Sequence, residues 1–204
     1  LTLSGHGFLW FRLAAGGEVP AWHEERLPRD ELPTLVLFDG WASLFRDRVV
    51  PWRITMSEKV RAQLEREALP AFIAGRRWYA AKGSAVGTVT IADYAEWPGS
   101  DRSWLVALTR VERDKGEADT YFLPLTLGWE DSDEERMRAL AALTVAKVRQ
   151  QAQVGVLADA FGDDAFCRAL VTAVGAGGEI KMARGRLRFR PAKAFAEIAG
   201  AAYD

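Results

Sequence analysis

Apolar and polar positions change period several times along this chain, and each change marks an element. From Ser57 to Gly75, Val60, Leu64, Ala68 and Leu69 recur at helical spacing, while Glu58, Lys59, Arg61, Glu65 and Arg66 fill the opposite face. The pattern predicts an amphipathic helix with Ser57 as its N-cap. Pro70 has no N–H to donate, so the helix should kink or restart there, bury Phe72 and Ile73, and stop at Gly75. After Gly83 the period falls to two. Strands are predicted over Val86–Trp97, Ser103–Arg113 and Thr120–Trp129, separated by polar turns at Asp101-Arg102 and Lys115-Gly116-Glu117. Three strands joined by short turns make an antiparallel meander.

The flanks are less regular. Phe8-Leu9-Trp10-Phe11 lies between glycine-rich turns and reads as a strand, and residues 18–36 hold Pro20, Pro28 and Pro33 among charges, as a linker would. A helical turn is predicted at Trp41–Phe45. The acidic run Glu130-Asp131-Ser132-Asp133-Glu134-Glu135 suits a helix N-terminus, whereas Leu143–Val148 and Val154–Phe161 read as further strands. Asp163 is placed to cap a helix running to about Val174 that Gly175–Gly178 ends. Ile180–Phe189 alternates around Arg184-Gly185 as a hairpin, and Pro191–Ala202 is weakly helical. The expected fold class is α+β: an antiparallel β-meander with flanking helices, preceded by a strand and a linker.

Composition narrows the partners. With 204 residues and 49% hydrophobic composition the chain can build its own core. Its formal net charge of −1 gives no broad field for nucleic acid or an anionic membrane. No apolar run approaches the roughly 20 residues of a membrane span. The lone Cys167 has no disulfide partner and sits in a helical pattern, which predicts a buried, inert thiol and a reducing, cytoplasmic setting. The chain opens without methionine, inside a predicted strand, as a piece of a longer polypeptide would.

The search for reactive chemistry eliminates one motif after another. Arg76-Arg77-Trp78-Tyr79-Ala80-Ala81-Lys82-Gly83-Ser84 ends like a phosphate loop, but Arg76 and Ala81 stand where its glycines belong. His23-Glu24-Glu25 begins a zinc helix motif that fails at Leu27, and the other histidine, His6, lies among glycines. Gly175-Ala176-Gly177-Gly178 lacks the third glycine of a dinucleotide fingerprint, because Ile180 occupies it. Asp131, Asp133 and Glu135 imitate a calcium loop, but Arg136 replaces the turn glycine. No Gly-x-Ser-x-Gly elbow or kinase catalytic loop is present. Eight tryptophans remain, of which Trp78, Trp97, Trp104 and Trp129 flank or lie in the meander. They serve either as core residues or as indole platforms for a sugar.

Leu69-Pro70-Ala71-Phe72-Ile73, followed by Arg76-Arg77-Trp78-Tyr79-Ala80-Ala81-Lys82-Gly83, resembles the signature near the start of bacterial maltokinases. Tyr121-Phe122-Leu123-Pro124-Leu125 resembles their Tyr-x-x-Pro-Leu strand. Gly155-Val156-Leu157-Ala158-Asp159-Ala160-Phe161, with Asp163, Phe166, Cys167 and Leu170, resembles a later run in the same order. Gly75 stands where the family's first arginine falls, and Ala80-Ala81 where glycine is common. Separately, Gly7-Phe8-Leu9-Trp10-Phe11-Arg12-Leu13 resembles the strand that closes the C-terminal β-domain of trehalose synthases.

These resemblances imply a piece of a trehalose synthase/maltokinase fusion. Residues 1–13 would end the synthase β-domain, 14–56 would be a linker, and 57–204 would be the maltokinase N-terminal cap subdomain. A maltokinase phosphorylates maltose to maltose 1-phosphate with ATP and magnesium, but the matching residues here are those of the cap. No catalytic, cofactor-binding or metal-binding residue is expected in the chain. Its partners would be the downstream kinase lobes and the upstream synthase of the same polypeptide, with maltose a partner of the parent enzyme. Arg76, Arg77, Trp78 and Lys82, at the predicted corner between helix and meander, form the candidate lobe-docking surface. The alternatives are a carbohydrate-binding module or a subunit-docking module.

Overall fold

The computed structural model describes residues 32–80, 85–113, 117–131 and 134–199. The predicted leading strand, both histidines and Lys82 lie outside these residues. The described elements are β1 (Thr34–Leu37), α1 (Ile54–Gln63), α2 (Leu69–Ala74), β2 (Val89–Pro98), β3 (Ser103–Glu112), β4 (Ala118–Phe122), β5 (Leu125–Trp129), α3 (Glu134–Ala141), β6 (Thr144–Gln150), β7 (Gln153–Asp159), α4 (Asp164–Ala176), β8 (Glu179–Lys181), β9 (Arg186–Arg188) and α5 (Phe195–Ala199). Seven strands form one sheet in the order β1-β6-β7-β5-β3-β2, with β4 also paired to β3, and β8-β9 is a separate hairpin. The architecture is α+β, with an antiparallel-rich sheet between helices.

The predicted third strand of the meander is two strands. Pro124 cannot donate to a ladder, and the pairing changes around it. β4 pairs with the C-terminal half of β3, from Leu108↔Phe122 to Glu112↔Ala118. Beyond Pro124, β5 meets β3 only at Leu105↔Leu125 and then pairs with β7 from Leu125↔Asp159 to Trp129↔Gly155. The meander is thereby joined to β6 and β7, whose hairpin turns at Gln151 with φ of 54°.

The helix also differs from its sequence reading in an instructive way. It begins at Ile54, three residues before Ser57, so Ser57 is a fully buried interior residue and not the N-cap. Pro70 does not break it. Residues Leu64–Ala68 form a π turn in which the Leu69 N–H reaches the Leu64 carbonyl, and the widened turn seats Pro70 at the start of α2.

Residues 32–56, expected as the second half of the linker, belong to the same compact unit as the sheet, which begins at Leu32. β1 adds to β6 in parallel. Leu35, Leu37, Trp41, Leu44 and Phe45 enter the main core with Leu64, Leu69, Phe72 and Ile73. Each such side chain contributes about 1.5–3 kcal/mol on burial, so this segment is structural.

The sheet is buried on both faces around β2 and β3. Leu105, Ala107 and Val111 point into the core under α1 and α2, while Trp104 and Val106 point the other way, into a core with Phe166 of α4 and Met182 beside the hairpin. A bulge between Ile91 and Asp93 shifts the parity of β2, which puts Tyr94 on the same face as Val89 and Ile91. Arg61 and Glu65 clamp this bulge: Arg61 donates to the Ile91 carbonyl at 2.7 Å, and the Ile91 N–H donates to Glu65 at 2.8 Å. A smaller cluster of Leu140, Val156, Ala158 and Met137 holds α3 on β7.

Candidate functional site

The four residues expected to form a docking surface separate in the structure. Arg76 is half-buried: its side chain donates to the Phe72 carbonyl and across to the Ala142 carbonyl, each at 3.2 Å, and lies 4.0 Å over the Phe72 ring. It is also a counter-charge for Asp159. Arg77 is exposed, and Trp78 keeps 41% of its surface in solvent while its ring lies 5.1 Å from Tyr121. Tyr79 is buried and anchors the corner. Lys82 lies outside the described residues. Arg76 is therefore a structural tie, and Arg77 with Trp78 is the outward-facing part of this corner.

Asp159 and Asp163 bracket a short 3-10 turn, Ala160–Gly162, and each uses one carboxylate oxygen to cap a backbone N–H. Burial pushes the Asp159 carboxyl above its ordinary value, against the Phe161 N–H and Arg76, which pull it down. Asp163 has the opposite balance. It is only 2% exposed, and burial alone would raise it, but hydrogen bonds from Arg136 and Trp104 and the charges of Arg136 and Arg102 hold it below the usual carboxylate range. Its second oxygen accepts from Arg136 at 3.0 Å, Thr126 at 3.2 Å and Trp104 at 3.3 Å, with Arg102 at 3.7 Å. Arg136 also donates to the Leu127 carbonyl at 2.9 Å. One carboxylate thus fixes α3, α4, β3 and β5 to each other.

Two clefts flank this hub and share Arg102 and Arg136 in their walls. The first, of about 520 Å³, lies where the start of the 3-10 helix at Gly40–Leu44, the β2-β3 turn and the β6-β7 turn meet the end of β5. Gln150 accepts from the Gly40 N–H at 2.9 Å, and the Trp41 indole donates to the Ser103 carbonyl at 3.3 Å, so its walls are tied together. Glu96 is held by the Ser103 hydroxyl at 2.7 Å and by Arg48 at 3.1 Å. Arg102 is paired with Asp101. The second cleft, of about 530 Å³, is lined by Glu135, Ala139, Asp164 and Arg168 at the start of α4.

Sequence reasoning found Asp163 as a helix cap but missed its second oxygen. Arg136 and Arg102 were visible only as the residue that spoils a calcium loop and as part of a turn; no local spacing signals that they converge on one carboxylate. Of the four tryptophans weighed as sugar platforms, Trp104 is buried and Trp97 packs on Trp104, Phe166 and Phe189. Trp78 lies against Tyr121, and the half-buried Trp129 lines the first cleft. Cys167 is half-buried, with its thiol 3.6 Å from the Phe161 carbonyl and pushed up by burial and nearby carboxylates. Among the described residues no three His, Cys, Asp or Glu side chains gather where they could hold a metal. No described helix is long and apolar enough to cross a membrane.

Fold and site together define an α+β domain whose sheet is braced on both faces and whose buried ionic hub sits between clefts. Residues 72–163, from Phe72 in α2 to the hub carboxylate, match the family model described as the maltokinase N-terminal cap domain. No curated protein and no solved structure matches the chain.

Proposed function

We propose that the chain acts as the non-catalytic N-terminal cap of a maltokinase that phosphorylates maltose to maltose 1-phosphate with ATP, within a fusion to trehalose synthase. The observation that carries this reading is the cap match over residues 72–163. The ordered motifs around Arg76–Gly83, Tyr121–Leu125 and Gly155–Leu170 support it. ATP, magnesium and maltose belong in this reading to the downstream kinase lobes, and the setting is the cytoplasm. The cap braces those lobes, and exposed Arg77 and Trp78 offer a cation and an indole at a rigid corner for them to dock against.

The test compares the 204-residue chain with the same chain extended through the downstream lobes. The chain alone should neither bind ATP saturably nor consume maltose, and the extended protein should do both. Arg77→Glu with Trp78→Ala should lower the melting temperature of the extended protein by more than it lowers that of the chain alone, and should lower the extended protein's activity. ATP-dependent maltose turnover by the chain alone would overturn the reading, as would an extended protein indifferent to the double substitution.

A further inference from the structure

The first cleft has the size and chemistry of a small-ligand site. Its volume of about 520 Å³ falls within the roughly 300–1,000 Å³ typical of such sites. Its arginines and Glu96 are already committed: Arg136 to Asp163, Arg102 to Asp101, Glu96 to Arg48. An anion would find no uncommitted guanidinium there, and no carboxylate cluster is present for a metal among the described residues. What the walls do offer is a mixture of acceptors and donors around an aromatic. The exposed side chains of Asp39 and Gln153 make no hydrogen bond or ion pair among the described residues, and both face this cleft alongside Gln150 and the Trp129 indole.

A carboxylate and an amide accept from hydroxyls, an amide donates to them, and an indole packs against a C–H face. A saccharide uses all three. We propose that this cleft binds a neutral mono- or disaccharide, with the sugar ring against Trp129 and its hydroxyls on Asp39 and Gln153. Binding here is not catalysis, and it requires neither ATP nor the downstream lobes. It therefore stands or falls separately from the cap reading, whose test measures assembly and turnover.

The experiment follows the tryptophan indole N–H resonances of the 204-residue chain by NMR during titration with maltose, trehalose, cellobiose and inorganic phosphate. The Trp129 signal is assigned by its loss in Trp129→Phe. At least one disaccharide should shift the Trp129 resonance saturably, and phosphate should not. Asp39→Asn and Gln153→Ala, both at exposed positions, should each weaken the affinity about fivefold, the loss expected for one hydrogen-bonded group, without changing the melting temperature. The proposal is overturned if no saccharide shifts that resonance saturably at concentrations of tens of millimolar, if neither variant binds more weakly than the wild type, or if phosphate saturates the same signal.

Discussion

Replacing Asp163 by alanine removes the carboxylate that meets Arg136 among the described residues, where the arginine side chain is 12% exposed and the aspartate 3%. Two losses combine. The Ala165 N–H loses its cap acceptor, a change that costs about 1 kcal/mol. The larger loss comes from Arg136, left charged and nearly buried with the Thr126 hydroxyl and Leu127 carbonyl as its remaining acceptors among the described residues. Breaking a buried pair from one side typically costs about 3–5 kcal/mol, and the cap loss falls within that range. For a domain of this size that corresponds to a fall in melting temperature of roughly 6–20 °C. Urea melts of the 204-residue chain at neutral pH measure it directly, with the slope of the transition checked for constancy. Asp163→Asn keeps an oxygen for Ala165 but sets an amide NH2 where the second oxygen accepts from Arg136, Thr126 and Trp104, so it spares only the cap and should cost about 2–4 kcal/mol. Because the folded carboxyl is held below its unfolded value, its contribution is present above the ordinary carboxylate range and fades as pH falls through the depressed value. The gap between wild type and Asp163→Asn should therefore close in acid. A cost below about 1 kcal/mol for Asp163→Ala would refute the claim that this carboxylate holds α3 and α4 to the sheet.

Asp159 should behave oppositely. Its folded carboxyl is raised by burial, so its favourable contribution is present in acid, below the unfolded value, and is lost as pH rises through the folded value. Asp159→Asn preserves the acceptor for the Phe161 N–H and should stabilise the chain at pH 7 by on the order of 1 kcal/mol, with no gain in acid; thermal melts across pH decide, and a loss at pH 7 would show that the attraction of Arg76 dominates. Arg76→Ala should cost about 2 kcal/mol through its carbonyl hydrogen bonds and its stacking on Phe72, whereas Arg77→Ala should change stability by less than about 0.5 kcal/mol in the same urea assay.

Elements whose stability is local were readable in the amino-acid pattern. The helix after Asp163, its end at Gly177 with φ of 68°, and the hairpin around Gly185 follow from capping, left-handed glycine and alternation, and all form as the sequence predicts. Features settled by distant partners were not readable. Ser57 looks like a cap, but the helix extends back to Ile54, and the segment before it is held by Trp41, Leu44 and Phe45 in the core. Leu35 and Leu37 sit among prolines that suggest a linker, yet β6 recruits them into its parallel ladder. The break of the third meander strand at Pro124 could have been inferred from its missing N–H; its second half leaving for β7 depends on a strand some thirty residues later. The candidate site was the least legible part, because its hub gathers Arg102, Trp104, Thr126 and Arg136 from separate elements onto one capping residue.

Strand β3 is a party wall: the residues of its two sides are the floors of separate apolar rooms, one roofed by α1 and α2 and the other by α4. A single thickness of backbone separates the two rooms, and the strand is tied to its neighbours by β2 on one edge and by β4 and the Leu105↔Leu125 pair with β5 on the other. A substitution that displaces β3 in one room is therefore felt in the other, because alternate residues of one strand floor both.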